Sequence, residues 1–323
     1  MVTAVRIHEN GGPQVMVLEQ LELEPPGPGM VTVANRAIGL NYIDTYHRSG
    51  LYPLPLPTGI GMEAAGVVQA AGEGVDLAVG DRVAYCSAGF GAYAEALNLP
   101  ASRLVSIPEG IDEQQAAAVL LKGQTAEYLL QRTYPLQAGE TCLFHAAAGG
   151  VGLIFGQWAN SIGATVIGTV SSEEKAGLAR THGYHHVINY RTEDVVHRVL
   201  EITGGDKLPV VYDGVGRDTF ELSLDCLRPR GLMVSFGNAS GAVPPVNLQE
   251  LANRGSLFLT RPTLLTYTAT TEELRQSSRD VFSRVLSGAV RVEINQRYPL
   301  AEIQQAHIDL EARNTTGSTV VLP

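Results

Sequence analysis

The residues whose spacing most clearly invites chemistry are Gly149, Gly150 and Gly152, in the run Leu143-Phe144-His145-Ala146-Ala147-Ala148-Gly149-Gly150-Val151-Gly152. An apolar, strand-like segment leads into this run. Beyond it Val151, Phe155, Trp158 and Ile162 recur at spacings of four, three and four, which places them on one helical face. A strand, a tight glycine turn and a helix form the context in which backbone amides and the positive end of a helix dipole meet a pyrophosphate. Against the pattern G-x-G-x-x-G, Gly149 and Gly152 fit, and Ala147 stands in the first glycine position. Alanine is permitted there if its φ is negative. The competing reading is an ordinary strand-to-helix turn with glycines that serve packing.

The end of the following strand selects the dinucleotide, because a carboxylate there would accept hydrogen bonds from the ribose hydroxyls of NAD. Here the strand Ala164-Thr165-Val166-Ile167-Gly168-Thr169-Val170 runs into Ser171-Ser172, with Lys175 one helical turn on and Tyr190-Arg191 closing the third strand. Hydroxyl donors and a cation suit a 2′-phosphate, so NADP(H) is expected. Glu173 and Glu174 adjoin the lysine and weaken the case, although carboxylates in a first helical turn also favour the dipole.

These residues need a large scaffold, and the chain of 323 residues, 45% apolar, is long enough for two domains. It has 35 glycines without a collagen-like period, and it carries 23 basic against 33 acidic residues, a net charge of −10. That field repels phosphate polymers, so nucleic acid is not an expected partner. Cys86, Cys142 and Cys226 lie far apart and form no C-x-x-C pair, which fits a reducing, cytoplasmic compartment. The run MVTAVRIHENGG has no basic n-region followed by an apolar stretch, so no signal peptide is expected. Thr141 to Ser172 lacks charge, but Gly149, Gly150, Gly152, Gln157, Asn160, Ser161 and Gly163 interrupt it, so no membrane span is expected.

Before about residue 120, short β-like runs such as VTVANRAIG and AAGVVQAAG alternate with Pro and Gly clusters, as in a compact, mostly β domain. From there to Thr260 six apolar runs, TCLFHA, ATVIGTV, HHVINY, PVVYDG, GLMVSFG and SLFLTR, alternate with helical patterns and predict an α/β, doubly wound parallel sheet. Helices around Thr271–Ser287 and Leu300–Arg313 and a closing strand, STVVL, follow. The expected division is 1–122, then an inserted 123–265, then a return segment, 266–323, that completes the first domain beside a cleft. The sixth run, Ser256–Thr260, is short and apolar; as an edge strand it predicts a two-fold homodimer.

The chain resembles the zinc-free quinone oxidoreductases, related to zeta-crystallin, of the medium-chain dehydrogenase/reductase superfamily. The resemblance spans nearly the whole length. It rests on Gly39-Leu40-Asn41-Tyr42-Ile43-Asp44, Gly80-Asp81-Arg82-Val83, Gly123-Gln124-Thr125-Ala126, the glycine turn with Gln157 in its helix, Asp213-Gly214-Val215-Gly216 and Ser235-Phe236-Gly237-Asn238. Asn160 departs from the family pattern at a position expected on the helix exterior. The resemblance implies a GroES-like catalytic domain joined to an NADP-binding Rossmann domain.

It further implies that Asn41, Tyr42, Ile43 and Asp44 border the nicotinamide end with Thr125 alongside, and that Gly149, Gly150 and Val151 meet the pyrophosphate. Ser171, Lys175 and Tyr190 would hold the adenosine phosphate. Phe236, Gly237, Asn238 and Ser240 would cover the middle of the cofactor, with Arg261 and Asn314 as outer contacts. Where zinc alcohol dehydrogenases of the superfamily hold their catalytic metal, this chain has Asn41, Met62 and Leu121, and it lacks the four-cysteine structural loop. No metal is expected.

The acceptor must then be electrophilic unaided, which favours a quinone or another conjugated carbonyl. Asn41, Tyr46 and Tyr52 are the candidate donors to its oxygen, although either tyrosine would serve equally as a lid or core aromatic. Glu63 and Asp44 are possible acids or bases, or simply acceptors for backbone amides. The expected activity is NADPH-dependent quinone reduction. The alternatives are an NADPH-dependent enal or enone reductase and a non-catalytic NADPH-binding protein.

Overall fold

The computed structural model describes residues 1–323. The chain divides into two compact units, one of Met1–Gln124, Thr268–Ser287 and Val292–Pro323, the other of Thr125–Tyr267 with Gly288–Arg291.

In the first unit the strand Met30–Leu40 organises a seven-stranded sheet. It pairs antiparallel with Glu63–Ala71, with Ala96–Pro100 and with the closing strand Ser318–Leu322. A separate three-stranded sheet is centred on Val2–Ile7. Alternating apolar residues, among them Val31, Val33, Ile38, Val68, Val83, Tyr85 and Tyr93, point into one core. The strand Met30–Leu40 ends at Asn41, where helix α1 (Tyr42–Ser49) begins. The long helix α2 (Glu113–Tyr128) is apolar on every side over Ala116–Leu120, and those residues are wholly buried.

In the second unit six parallel strands stand in the order His186–Asn189, Thr165–Val170, Thr141–Phe144, Leu208–Asp213, Leu227–Ser235 and Phe258–Thr260. The inner strands are buried end to end, which is why they read as continuous apolar runs rather than alternating ones. The strand Thr141–Phe144 lies between Thr165–Val170 and Leu208–Asp213, so the chain order reverses there. Ligands of such sheets lie outside the carboxyl ends of the strands at this switch.

Helix α3 (Gly150–Ile162) follows the central strand and is too short and too interrupted to cross a membrane; no helix of the molecule is long and apolar enough to do so. The single apolar face anticipated for it is wider in the structure. Leu153 and Ile154 are buried as fully as Phe155 and Trp158, while Val151 and Ile162 are only half-buried.

Candidate functional site

The turn between Thr141–Phe144 and α3 is held by backbone bonds. The Ala147 N–H donates to Thr169 O (3.0 Å), Gly149 N–H to Ala146 O (3.0 Å) and Leu153 N–H to Gly149 O (2.9 Å). Ala147, in the first glycine position, does not take a left-handed conformation; its neighbour Ala146 does, at φ 60°. A non-glycine residue there costs on the order of 1–2 kcal/mol, and Ala146 is an exposed residue of the turn. The methyl group of Ala147 fits because the next strand presents Gly168, where a Cβ would lie 2.6 Å from it. Gly152 cannot be replaced so easily, since a Cβ would stand 2.5 Å from Ala147 O and 2.6 Å from Ala146 O.

Gly149 is the N-cap of α3, extended at φ −78° and ψ 171°, and no side chain caps the helix. Its first amides therefore remain directed at whatever docks there, together with the positive end of the dipole. This is the cradle a diphosphate needs, so the residues present fit a dinucleotide.

The neighbouring strand tips converge on the same edge of the sheet. Val170 pairs in register with Asn189, and the Tyr190 N–H donates to Val170 O (3.1 Å), which brings Ser171 and Tyr190 to adjacent tips. Ser172 caps helix α4 (Glu173–Arg180) by accepting from the Lys175 N–H at 3.3 Å, which fixes the start of the turn that carries Lys175. No carboxylate occupies the tip itself, and Glu173 and Glu174 are exposed in the first turn of α4.

On the other side of the switch, the loops after Asp213 and after Ser235 are zipped together. The Phe236 N–H donates to Asp213 O, and the Ser240 N–H and hydroxyl both donate to Val215 O. Gly237 lies so close that a Cβ would be 2.4 Å from Gly214 O. Asp213, wholly buried, accepts from the amides of Val215 and Gly216 and from the hydroxyls of Thr219 and Ser223, so it builds the loop rather than reacting. His145 is likewise buried between Thr169 and Ser223, and burial lowers its pKa. Arg261 donates to Ser235 O at 2.8 Å from the end of the last strand.

In the first unit Asn41 starts α1 with a capping box, in which Asp44 Oδ2 accepts from the Asn41 N–H at 2.9 Å. The Asn41 side-chain amide donates to Glu63 Oε2 (2.7 Å) and to Gly39 O (3.3 Å), so both of its hydrogens are given to protein oxygens. Gly39 is required here, because a Cβ would lie 2.3 Å from Glu63 Oε2. Glu63 also accepts from the Leu121 N–H (2.6 Å) and from Lys122 Nζ (3.4 Å), and both charged groups are buried. Asp44 is fully buried, and that burial pushes its carboxyl up to about 7 against the opposing hydrogen bonds of Tyr93 and Asn41.

Tyr46 is 7% exposed and meets Tyr52 edge to face at 5.1 Å and Tyr42 at 5.7 Å. The wall continues through His47, edge-on to Tyr52 (6.0 Å) and Phe90 (4.8 Å); burial lowers the His47 pKa to about 4. His47, Phe90, Tyr93, Lys122 and His307 belong to this region without any signal in local spacing. They come from segments far apart in the chain, and only the fold gathers them. Thr125 is buried at the start of the second unit, and Asn314 is exposed near the end of the first.

The donor set at Asn41, Met62 and Leu121 does not fit zinc: an engaged amide, a buried thioether and an alkyl chain cannot supply three ligands. No three His, Cys, Asp or Glu side chains are gathered anywhere as a metal-binding group.

Two family models match, the alcohol dehydrogenase GroES-like domain over residues 27–109 and the zinc-binding dehydrogenase domain over residues 150–283. The chain is 56% identical to the quinone oxidoreductase of Pseudomonas aeruginosa, over 100% of both sequences. It is 46% identical to a 2-haloacrylate reductase of Burkholderia, over 100% of this chain and 99% of that one. The crystal structure of Escherichia coli quinone oxidoreductase complexed with NADPH superposes with a TM-score of 0.98 at 51% identity, over 99% of this chain and 100% of that one. This chain belongs to the quinone oxidoreductase family of the medium-chain dehydrogenase/reductase superfamily.

Proposed function

We propose that this protein is an NADPH-dependent quinone reductase that works without a metal. The observation that carries this reading is the uncapped N-terminus of α3, flanked by strand tips that bear Ser171 and Tyr190 and no carboxylate, with Lys175 in the first turn of α4. The similarity to quinone oxidoreductases, one crystallised with NADPH, supports it.

When bound, NADPH supplies a hydride from the nicotinamide ring. The protein's own residues bind and orient. Gly150 and Val151 present amides to the diphosphate beside Gly149, whose own N–H is given to Ala146 O, and Ser171, Lys175 and Tyr190 meet the 2′-phosphate. Phe236, Gly237, Asn238 and Ser240 line the middle of the cofactor, with Arg261 and Asn314 as outer contacts. Asn41, Tyr42, Ile43, Asp44 and Thr125 border the nicotinamide. Because the Asp44 carboxyl is wholly buried, its share is to hold Asn41 in place. Tyr46 and Tyr52 donate hydrogen bonds to the acceptor oxygen. Asn41, whose two amide hydrogens are given to Glu63 and Gly39, does not donate to the acceptor as its residue type suggested; it positions the start of α1. Without a Lewis acid these donors polarise only weakly, so the acceptor is a quinone, electrophilic by itself.

The 2-haloacrylate reductase relative favours a second reading, reduction of a conjugated carboxylate or carbonyl at the same site. Initial rates of NADPH oxidation with a naphthoquinone panel and a 2-alkenal panel separate the two. Higher kcat/KM for the quinones supports the main reading, and higher kcat/KM for the alkenals reverses the order.

The chain acts as a cytoplasmic homodimer in this reading. Phe258 and Leu259 on the edge strand are 61% and 36% exposed, an apolar edge suited to pairing with a second copy. Light scattering of Phe258→Glu should show dissociation, and a wild-type monomer at micromolar concentration contradicts the dimer. Three buried free cysteines suit a reducing compartment.

A further inference from the structure

A line of buried polar groups runs through the first unit from Arg48 to Asp44, and its direction can be deduced. Arg48 is 2% exposed; it donates through Nε to Gly11 O (3.1 Å), through Nη2 to Glu311 (2.8 Å) and through Nη1 to His307 Nδ1 (2.9 Å). A guanidinium has no acceptor, so His307 Nδ1 must accept. The neutral ring then carries its hydrogen on Nε2, and Nε2–H donates to the Tyr93 oxygen at 3.0 Å. The Tyr93 hydroxyl hydrogen is left to donate to Asp44 Oδ2 at 2.7 Å, where the Asn41 N–H also donates. Every link is buried, and His307 and Asp44 are 0% exposed. One fixed charge therefore sets the polarity of three successive hydrogen bonds that end on the residue closing the α1 capping box.

We infer that His307 is a positioning residue: as a neutral Nε2–H tautomer locked by Arg48, it turns the Tyr93 hydroxyl onto Asp44 and so fixes Asn41 and the start of α1. The consequence for reduction rests on the function proposed above, but the tautomer does not. His307 is faced by Arg48 and Tyr93. Asp44 is faced by Tyr93 and lies within the influence of Lys122 and Glu63, of which the first favours its ionised form and the second opposes it. Burial, reinforced by Arg48, lowers the His307 pKa to about 3, so the ring keeps one hydrogen across the working range.

The test is a 15N NMR titration of the histidine side chains of the full chain from pH 5 to 9, with His307 assigned by its loss in His307→Gln. The expected His307 signals are a pyridine-type Nδ1 and a pyrrole-type Nε2 that do not change with pH. An Nδ1–H tautomer, or protonation within that range, overturns the inference whatever the enzyme reduces. Function is read in parallel. His307→Phe, which can neither accept nor donate, should lower kcat with a quinone about tenfold while the Kd for NADPH changes less than twofold. His307→Gln can accept from Arg48 and donate to Tyr93, and it should restore most of the loss. Full activity in a folded His307→Phe, or equal losses in both variants, overturns the positioning role.

Discussion

Two helix N-termini in this molecule are treated in opposite ways. The start of α1 is closed by its own side chains, with Asp44 reaching back to the Asn41 amide and with Glu63 and Tyr93 behind them. The start of α3 is left open, since Gly149 has no side chain to offer and the turn before it adopts a left-handed Ala146. The same dipole and the same orphan amides are present at both. At α1 they are spent on rigidity, which in the function proposed above suits residues that border the reacting group. At α3 no side chain takes them, and the function proposed above assigns them to an anion. A third case, α4, lies between the two: Ser172 caps it and leaves Ser171 and Lys175 at its entrance.

The sharpest way to break the contrast is to close α3. Gly149 has an extended φ that any residue adopts, and a Cβ there would meet only Ala146 O, at 3.2 Å. Gly149→Asp should supply a cap in place of the phosphate and repel it as well. The expected loss is about 2–3 kcal/mol of NADPH binding, roughly 30- to 150-fold in Kd, with no fall in Tm. An unchanged Kd would mean that these amides do not carry the cofactor.

Lys175→Ala comes next. A partly exposed charged hydrogen bond contributes about 1.5 kcal/mol, so the KM for NADPH should rise about tenfold and that for NADH less than twofold. Equal rises for the two nucleotides would remove Lys175 from the phosphate site.

The closed end is probed by Asp44→Asn. The folded-state value of about 7 lies above the ordinary 3.8, so the folded protein holds this proton more tightly than the unfolded chain does. The contribution of Asp44 to stability is then complete below the lower value and is lost as pH rises through the upper one. Wild-type Tm should fall relative to Asp44→Asn between about pH 4 and pH 7. Parallel curves would show that the carboxyl does not titrate there.

Much of this was legible in the sequence, for reasons that differ by region. The six parallel strands could be read because burial on both faces makes each an unbroken apolar run, and the turn at Gly149 to Gly152 because its spacing is local. Ser171 and Lys175 could be placed because both follow directly from one strand end. The polar array behind Asn41 could not be read. Arg48, Tyr93 and His307 lie in α1, in a loop and in a C-terminal helix, and no periodicity marks a contact between residues 214 or 259 positions apart. Nor did the motif reveal that Gly168 makes room for the Ala147 methyl group, since that compensation runs between strands.

Whether the open end of α3 holds the diphosphate of NADPH is read by a fluorescence titration of NADPH into the folded protein. Saturable binding at one site per chain, competed by NADP+ and weakened in Gly149→Asp, is expected. Signal that rises without saturation, or binding that is indifferent to Gly149→Asp, would contradict it.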